Sequence, residues 1–133
     1  MSRLAADTSV VVAAFARWHE HHDVAWHALD RTDAFLAPCL VETFSVLTRL
    51  PPPHRVASEL AADYLERIAP GALVTLRANR YKQLVRVGVS GGAIYDALVA
   101  MTAKEAGLTL ATLDRRAVPT YERVGVGHEL IAV

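Results

Sequence analysis

The stretch Gly92-Ala93-Ile94-Tyr95-Asp96-Ala97-Leu98-Val99-Ala100-Met101-Thr102-Ala103 constrains this chain more than any other. Ala and Leu favour helix, and after Gly92 no Gly or Pro interrupts before Gly107. The segment is apolar on nearly every side, which predicts a buried helix rather than an amphipathic one. Asp96 lies inside it, about one turn from its start. A buried carboxylate must be neutralised, paired or bound to a cation, because leaving it alone costs several kcal/mol. The positive end of the helix dipole contributes up to about 1 kcal/mol, too little to offset that penalty. The fold has to bring something else to Asp96.

The rest of the chain supplies strands and helices in alternation. Leu4-Ala5-Ala6 reads as a short buried strand ending at Asp7, followed by a helix from Ser9 to Arg17. A second helix ends near Asp30. Ala34 to Ala37 reads as a second strand, and Pro38 suits the first turn of the helix after it. Leu40, Val41, Phe44 and Leu47 mark one face of that helix, while Glu42, Ser45 and Arg49 mark the other. Pro51-Pro52-Pro53 ends it. A fourth helix carries Leu60, Ala61, Tyr64, Leu65 and Ile68 inward. Leu73 to Leu76 reads as a third strand and Arg77 to Val87 as a basic helix. Leu108 to Thr112 is a fourth strand, 116 to 124 a short helix, and Leu130 to Ala132 a last strand. This alternation predicts one α/β domain over residues 1–133 with a mostly parallel sheet.

Composition narrows the function. A hydrophobic share of 53% excludes a disordered chain. No apolar run approaches about 18 residues, so no membrane span is expected. Lys and Arg number 14, as do Asp and Glu, so nucleic-acid binding would need a local basic patch. Arg3 and the run Val10 to Ala16 imitate a secretion signal, but Asp7, Thr8 and Ser9 interrupt it. With the lone Cys39 unable to form an internal disulfide, the expected location is the cytoplasm.

Ligands of an open parallel sheet bind beyond the carboxyl ends of its strands. Asp7 ends the first strand, Asp114 follows the fourth, Glu42 lies early in the helix after the second, and Asp96 lies early in the central helix. Four carboxylates in one place raise one another's pKa and require a countercharge. A hard divalent cation that retains waters answers that requirement and suits phosphoryl chemistry.

Asp7-Thr8-Ser9, Pro38-x-x-x-Glu42, Tyr95-Asp96-Ala97-Leu98 after Gly91-Gly92, and Thr112-x-Asp114 resemble the PIN-domain ribonucleases, and more narrowly the VapC toxins of bacterial toxin–antitoxin pairs. The likeness runs in order along essentially the whole chain. It implies a three-layer α/β/α fold and endonucleolytic hydrolysis of RNA by a metal-activated water, dependent on Mg²⁺ or Mn²⁺. It also implies a VapB-type antitoxin and a homodimer. By carry-over Asp7 and Asp96 are the principal metal ligands, Glu42 and Asp114 complete the acidic pocket, and Thr8 and Thr112 orient the acids. Arg115 and Arg116 are candidate RNA contacts beside the pocket. Arg77, Arg80, Lys82 and Arg86 offer a second basic run that reads equally as a solvated helix face.

Other readings compete. Asp7 could serve as the nucleophile of a phosphatase or phosphoacceptor domain, although Ser9 stands where the haloacid-dehalogenase pattern has a second Asp. A non-catalytic α/β interaction module is the third class. His19, His21, His22 and His27 lack the partner spacing of a zinc site and read as an exposed turn. Cys39 has no evident base beside it to make it a nucleophile.

Overall fold

The computed structural model describes residues 3–132, so Met1, Ser2 and Val133 of the expected 1–133 domain lie outside the described residues. The chain runs β1 (Arg3–Ala6), α1 (Thr8–Phe15), α2 (His22–Asp30), α3 (Ala37–Thr48), α4 (Ser58–Ile68), α5 (Tyr81–Leu84), α6 (Ala93–Glu105), β2 (Leu108–Thr112), α7 (Val118–Val124) and β3 (His128–Leu130). Short 3-10 turns at Ala78–Arg80 and Arg115–Ala117 precede α5 and α7.

The three strands form one parallel sheet in the order β1-β2-β3. Arg3 pairs with Leu108 and Ala6 with Ala111, so the two ends of the chain meet at its centre. Side chains alternate across a strand, and here each face finds its own core. Ala5, Leu108 and Leu110 pack with α6 and α7, through Ala97, Val99, Ala100 and Tyr121. Leu4, Ala6 and Ala111 pack on the other side with α1 and α2, through Val10, Ala14, Ala25 and Ala28. Helices on both faces of a parallel sheet make the three-layer α/β/α arrangement.

The expected strands at 34–37 and 73–76 shrink to a single parallel bridge, Leu36 to Val74. Two hydrogen bonds hold it: Ala37 N–H to the Val74 carbonyl and Val74 N–H to the Phe35 carbonyl, both 2.8 Å. Helix α3 begins at Ala37 and leaves the first of these segments no length to pair further. The expected helix from Arg77 to Val87 is also shorter. Arg77 is extended, and after the 3-10 turn only Tyr81–Leu84 is α-helical. The last strand lies at His128–Leu130 rather than 130–132. Gly125, at φ +86, ends α7 in the left-handed region and turns the chain toward it. Among the described residues no helix is long and apolar enough to cross a membrane.

Candidate active site: an acidic hollow at the carboxyl edge of the sheet

Asp7 follows β1 directly, and its N–H donates to the Ala111 carbonyl on β2 at 3.0 Å, which fixes it at the carboxyl edge. Its backbone is extended, the conformation of a helix N-cap, and its Oδ1 accepts from Val10 N–H at 3.4 Å. Capping is only part of its environment. The Ser9 hydroxyl also donates to Oδ1, and the Tyr121 hydroxyl on α7 donates to Oδ2 at 2.7 Å. Asp7 is 3% exposed. Burial raises its carboxyl above the ordinary 3.8, while the hydroxyls of Ser9, Thr112 and Tyr121 and the Val10 N–H oppose that rise.

Asp7, Glu42, Asp96 and Asp114 line one hollow. Glu42 enters from α3, with its Oε1 accepting from the Thr8 hydroxyl. Asp114 follows β2. Its N–H donates to the Thr112 hydroxyl at 2.9 Å, and its Oδ1 accepts from Arg116 N–H at 3.0 Å. Ser9 ties these pieces together, since its hydroxyl also accepts from Leu113 N–H at 2.8 Å. Thr8 thus donates to Glu42, and the Thr112 hydroxyl accepts from the backbone N–H of Asp114.

Asp96 stands in the first turn of α6 and is half-buried. Among the described residues no hydrogen bond reaches its carboxylate. Burial first, then the charges of Asp114, Glu42 and Asp7, push it up to about 6, with Arg116 alone pulling the other way. The penalty foreseen for Asp96 is thus met by its neighbours in the worst way, with more negative charge.

Four carboxylates offer hard oxygen donors and an unbalanced negative field, which fits a hard divalent cation. Among the described residues no three His, Cys, Asp or Glu side chains are grouped tightly enough to cage an ion by themselves.

The PIN domain family matches residues 5–124 of this chain. The chain belongs to the PIN-domain family. It is 51% identical over 132 residues to Ribonuclease VapC40 of Mycobacterium tuberculosis, a match spanning 96% of this chain and 98% of that protein. It is 45% identical over 134 residues to Ribonuclease VapC27 of the same organism, spanning 97% of this chain and 96% of that protein. The crystal structure of PAE2754 from Pyrobaculum aerophilum shares the fold, with a TM-score of 0.61 at 22% identity over 96% of this chain and 90% of that one. This is a PIN domain of the VapC type.

Within this PIN domain the basic candidates separate. Arg116 lines the hollow, and its guanidinium stands 3.9 Å from Asp114 Oδ1. Arg115 is exposed next to it. Arg80 faces elsewhere: it pairs with Glu105 on α6 and shares a groove with Arg86 and Lys104. Arg77 is exposed before the 3-10 turn. Two features of the PIN domain site escaped the sequence. Arg49, the residue that caps the end of α3, lines the hollow, and Tyr121 is buried against its floor. His19 and His21 lie in a turn whose inner side borders the acids, and burial and then His21 hold His19 below its usual pKa. Cys39 is buried near Asp7 and Glu42, which raise its thiol further beyond the reach of neutral pH.

Proposed function

We propose that this PIN domain is an endoribonuclease, the toxin of a VapBC-type toxin–antitoxin pair, hydrolysing RNA phosphodiester bonds with Mg²⁺ or Mn²⁺. The observation that carries this reading is Asp96, a half-buried carboxylate held among three others and, among the described residues, with no hydrogen bond of its own. Its relatives' names, Ribonuclease VapC40 and Ribonuclease VapC27, support RNA as the substrate.

Asp7, Asp96, Glu42 and Asp114 would hold the cation, which when bound activates water and offsets charge on the attacked phosphate. The chain's own residues do the rest. Ser9, Val10 and Tyr121 fix the Asp7 carboxylate so that it cannot swing away from the floor. Thr8 fixes one oxygen of Glu42, and the Arg116 N–H fixes one oxygen of Asp114. Each of these two acids keeps its second oxygen to accept the proton of the attacking water, as general bases do. Arg116 and Arg49 border the hollow and would receive the phosphate chain, since acids alone would repel it.

The same reading includes a VapB-type antitoxin that covers the hollow, a homodimer and a cytoplasmic location. Val41 and Tyr95, 67% and 64% exposed beside Glu42 and Asp96, offer apolar surface for such partners. A phosphatase using Asp7 as nucleophile fits poorly, because Ser9 stands where the haloacid-dehalogenase pattern has its second Asp. The deciding experiment maps cleavage ends in total RNA with Mn²⁺, with EDTA, and with Asp96→Asn. Cleavage only in the first case is expected. Equal cleavage in all three would reject the reading.

A further inference from the structure

The segment between α1 and α2 reads Ala16-Arg17-Trp18-His19-Glu20-His21. It is a braced turn. His19 N–H donates to the Ala16 carbonyl at 3.0 Å, and His21 N–H donates to His19 Nδ1 at 3.0 Å. The His22 ring meets the Ala13 carbonyl at 2.9 Å and anchors the turn to α1. Trp18 is nevertheless 52% exposed. Its indole stacks on His54, with ring centroids 4.1 Å apart and planes 28° apart, and His19 stands 6.0 Å away at a tilt. His54 is fixed in turn, its N–H donating to the Pro51 carbonyl at 3.0 Å.

This aromatic group reaches the acids through His19. His19, Glu20 and His21 line the same hollow as Asp7, Glu42, Asp96 and Asp114, and Trp18 is bonded to His19. The chain carries no net charge, and its hollow is acidic. A polyanionic substrate therefore gains little from long-range attraction, and beside Arg49 and Arg116 it has use for contacts that do not depend on charge. A flat, braced, exposed indole 6.0 Å from the ring of His19, which does line the hollow, supplies one, because every nucleobase has a face that stacks.

We propose that Trp18, backed by His54 and flanked by His19, is a stacking shelf for a base of single-stranded RNA adjacent to the cleaved phosphodiester. Purines, with the larger stacking face, are preferred over pyrimidines. The proposal rests on the ribonuclease reading for its substrate.

The test uses the full chain carrying Asp96→Asn, which keeps RNA uncut, and Trp26→Phe, which leaves Trp18 as its one indole of the two present. Single-stranded polyadenylate and polyuridylate RNA oligomers are titrated in. Trp18 fluorescence should be quenched, more strongly by polyadenylate. With Trp26 retained, Trp18→Ala should weaken polyadenylate binding by about tenfold, and Trp18→Phe by much less. In the cleaving chain Trp18→Ala should raise KM and leave kcat nearly unchanged. Circular dichroism melts check that each variant folds. An unquenched indole, unaltered RNA affinity in Trp18→Ala, or a loss confined to antitoxin binding would each overturn the shelf. A chain that binds RNA through Trp18 but cleaves with no divalent cation keeps the shelf and removes the nuclease. Normal cleavage and KM in Trp18→Ala does the reverse.

Discussion

Asp7 and Asp96 share one hollow and live in opposite surroundings. Asp7 is the floor, 3% exposed, with Ser9, Val10 and Tyr121 all donating to it. Asp96 is the wall, half-exposed, without a donor among the described residues and pressed by three other acids. The first is satisfied by the fold. The second is left unsatisfied, so under the proposed function a cation bound there would release free energy. A site that must be rigid and also bind tightly divides those tasks between two residues, at some cost to the stability of the empty protein.

The contrast can be broken most forcefully at Asp96. Asp96→Asn should lower the cleavage rate by roughly a hundred- to a thousand-fold, an effect of the size seen when a group stabilising transition-state charge is removed. Its melting temperature should stay the same or rise, as measured by circular dichroism; a large fall would mean that Asp96 is structural. The pH dependence in EDTA sharpens this. Both carboxyls are raised in the folded chain above the ordinary 3.8, Asp96 to about 6. Between those values the native state binds more protons than the unfolded state, so stability falls as pH rises and levels off for Asp96 above about 6. Asp96→Asn should match the parent below 3.8 and melt higher above 6, by about 2–6 °C. Added Mn²⁺ should raise the parent's melting temperature more than the variant's.

Tyr121→Phe attacks the satisfied partner. It removes one buried donor to Asp7 and should cost about 1–2 kcal/mol, read from urea midpoints, with cleavage falling less than tenfold. Equal loss of stability in Asp96→Asn and Tyr121→Phe would erase the distinction drawn between floor and wall. The smallest effect is expected for Thr8→Val. Freeing Glu42 from its hydroxyl should slow cleavage by about two- to fivefold and leave the melt within about 0.5 kcal/mol of the parent.

The sequence made Asp96 conspicuous because a carboxylate inside an apolar helix has few innocent explanations. Asp7 and Asp114 were legible from their places just after strand-like runs. Glu42 was legible only beside the other three, since a surface glutamate on a polar helix face looks the same. The α/β class with a mostly parallel sheet followed from the alternation of apolar runs and helices, and the resemblance to PIN-domain ribonucleases implied its three layers. The failures are local. Ala34-Phe35-Leu36-Ala37 and Leu73-Val74-Thr75-Leu76 are apolar enough for strands, but a start of α3 at Ala37 leaves them one bridge. Whether a short run pairs once or four times depends on what its neighbours allow, which periodicity does not record. Tyr121 was hidden because its hydroxyl finds an acid 114 positions away, and a tyrosine in a short helix otherwise reads as packing. His19 and His21 were read as surface for a similar reason: nothing in their spacing says which wall their turn abuts.

The pairing of β1 with β2 has a consequence for a molecule of this kind while it is being made. Arg3 to Ala6 have no strand to join until Leu108 to Ala111 exist, and the hydroxyl that steadies the floor comes later still, at Tyr121. Synthesis runs from the amino end, so a growing chain carries Asp7, Glu42 and Asp96 long before it can arrange them. A nascent chain has no β1–β2 pairing until it is nearly finished, and a stop between residues 96 and 108 yields a product that holds three of the four acids without the strand that sets Asp7 at the edge of the sheet.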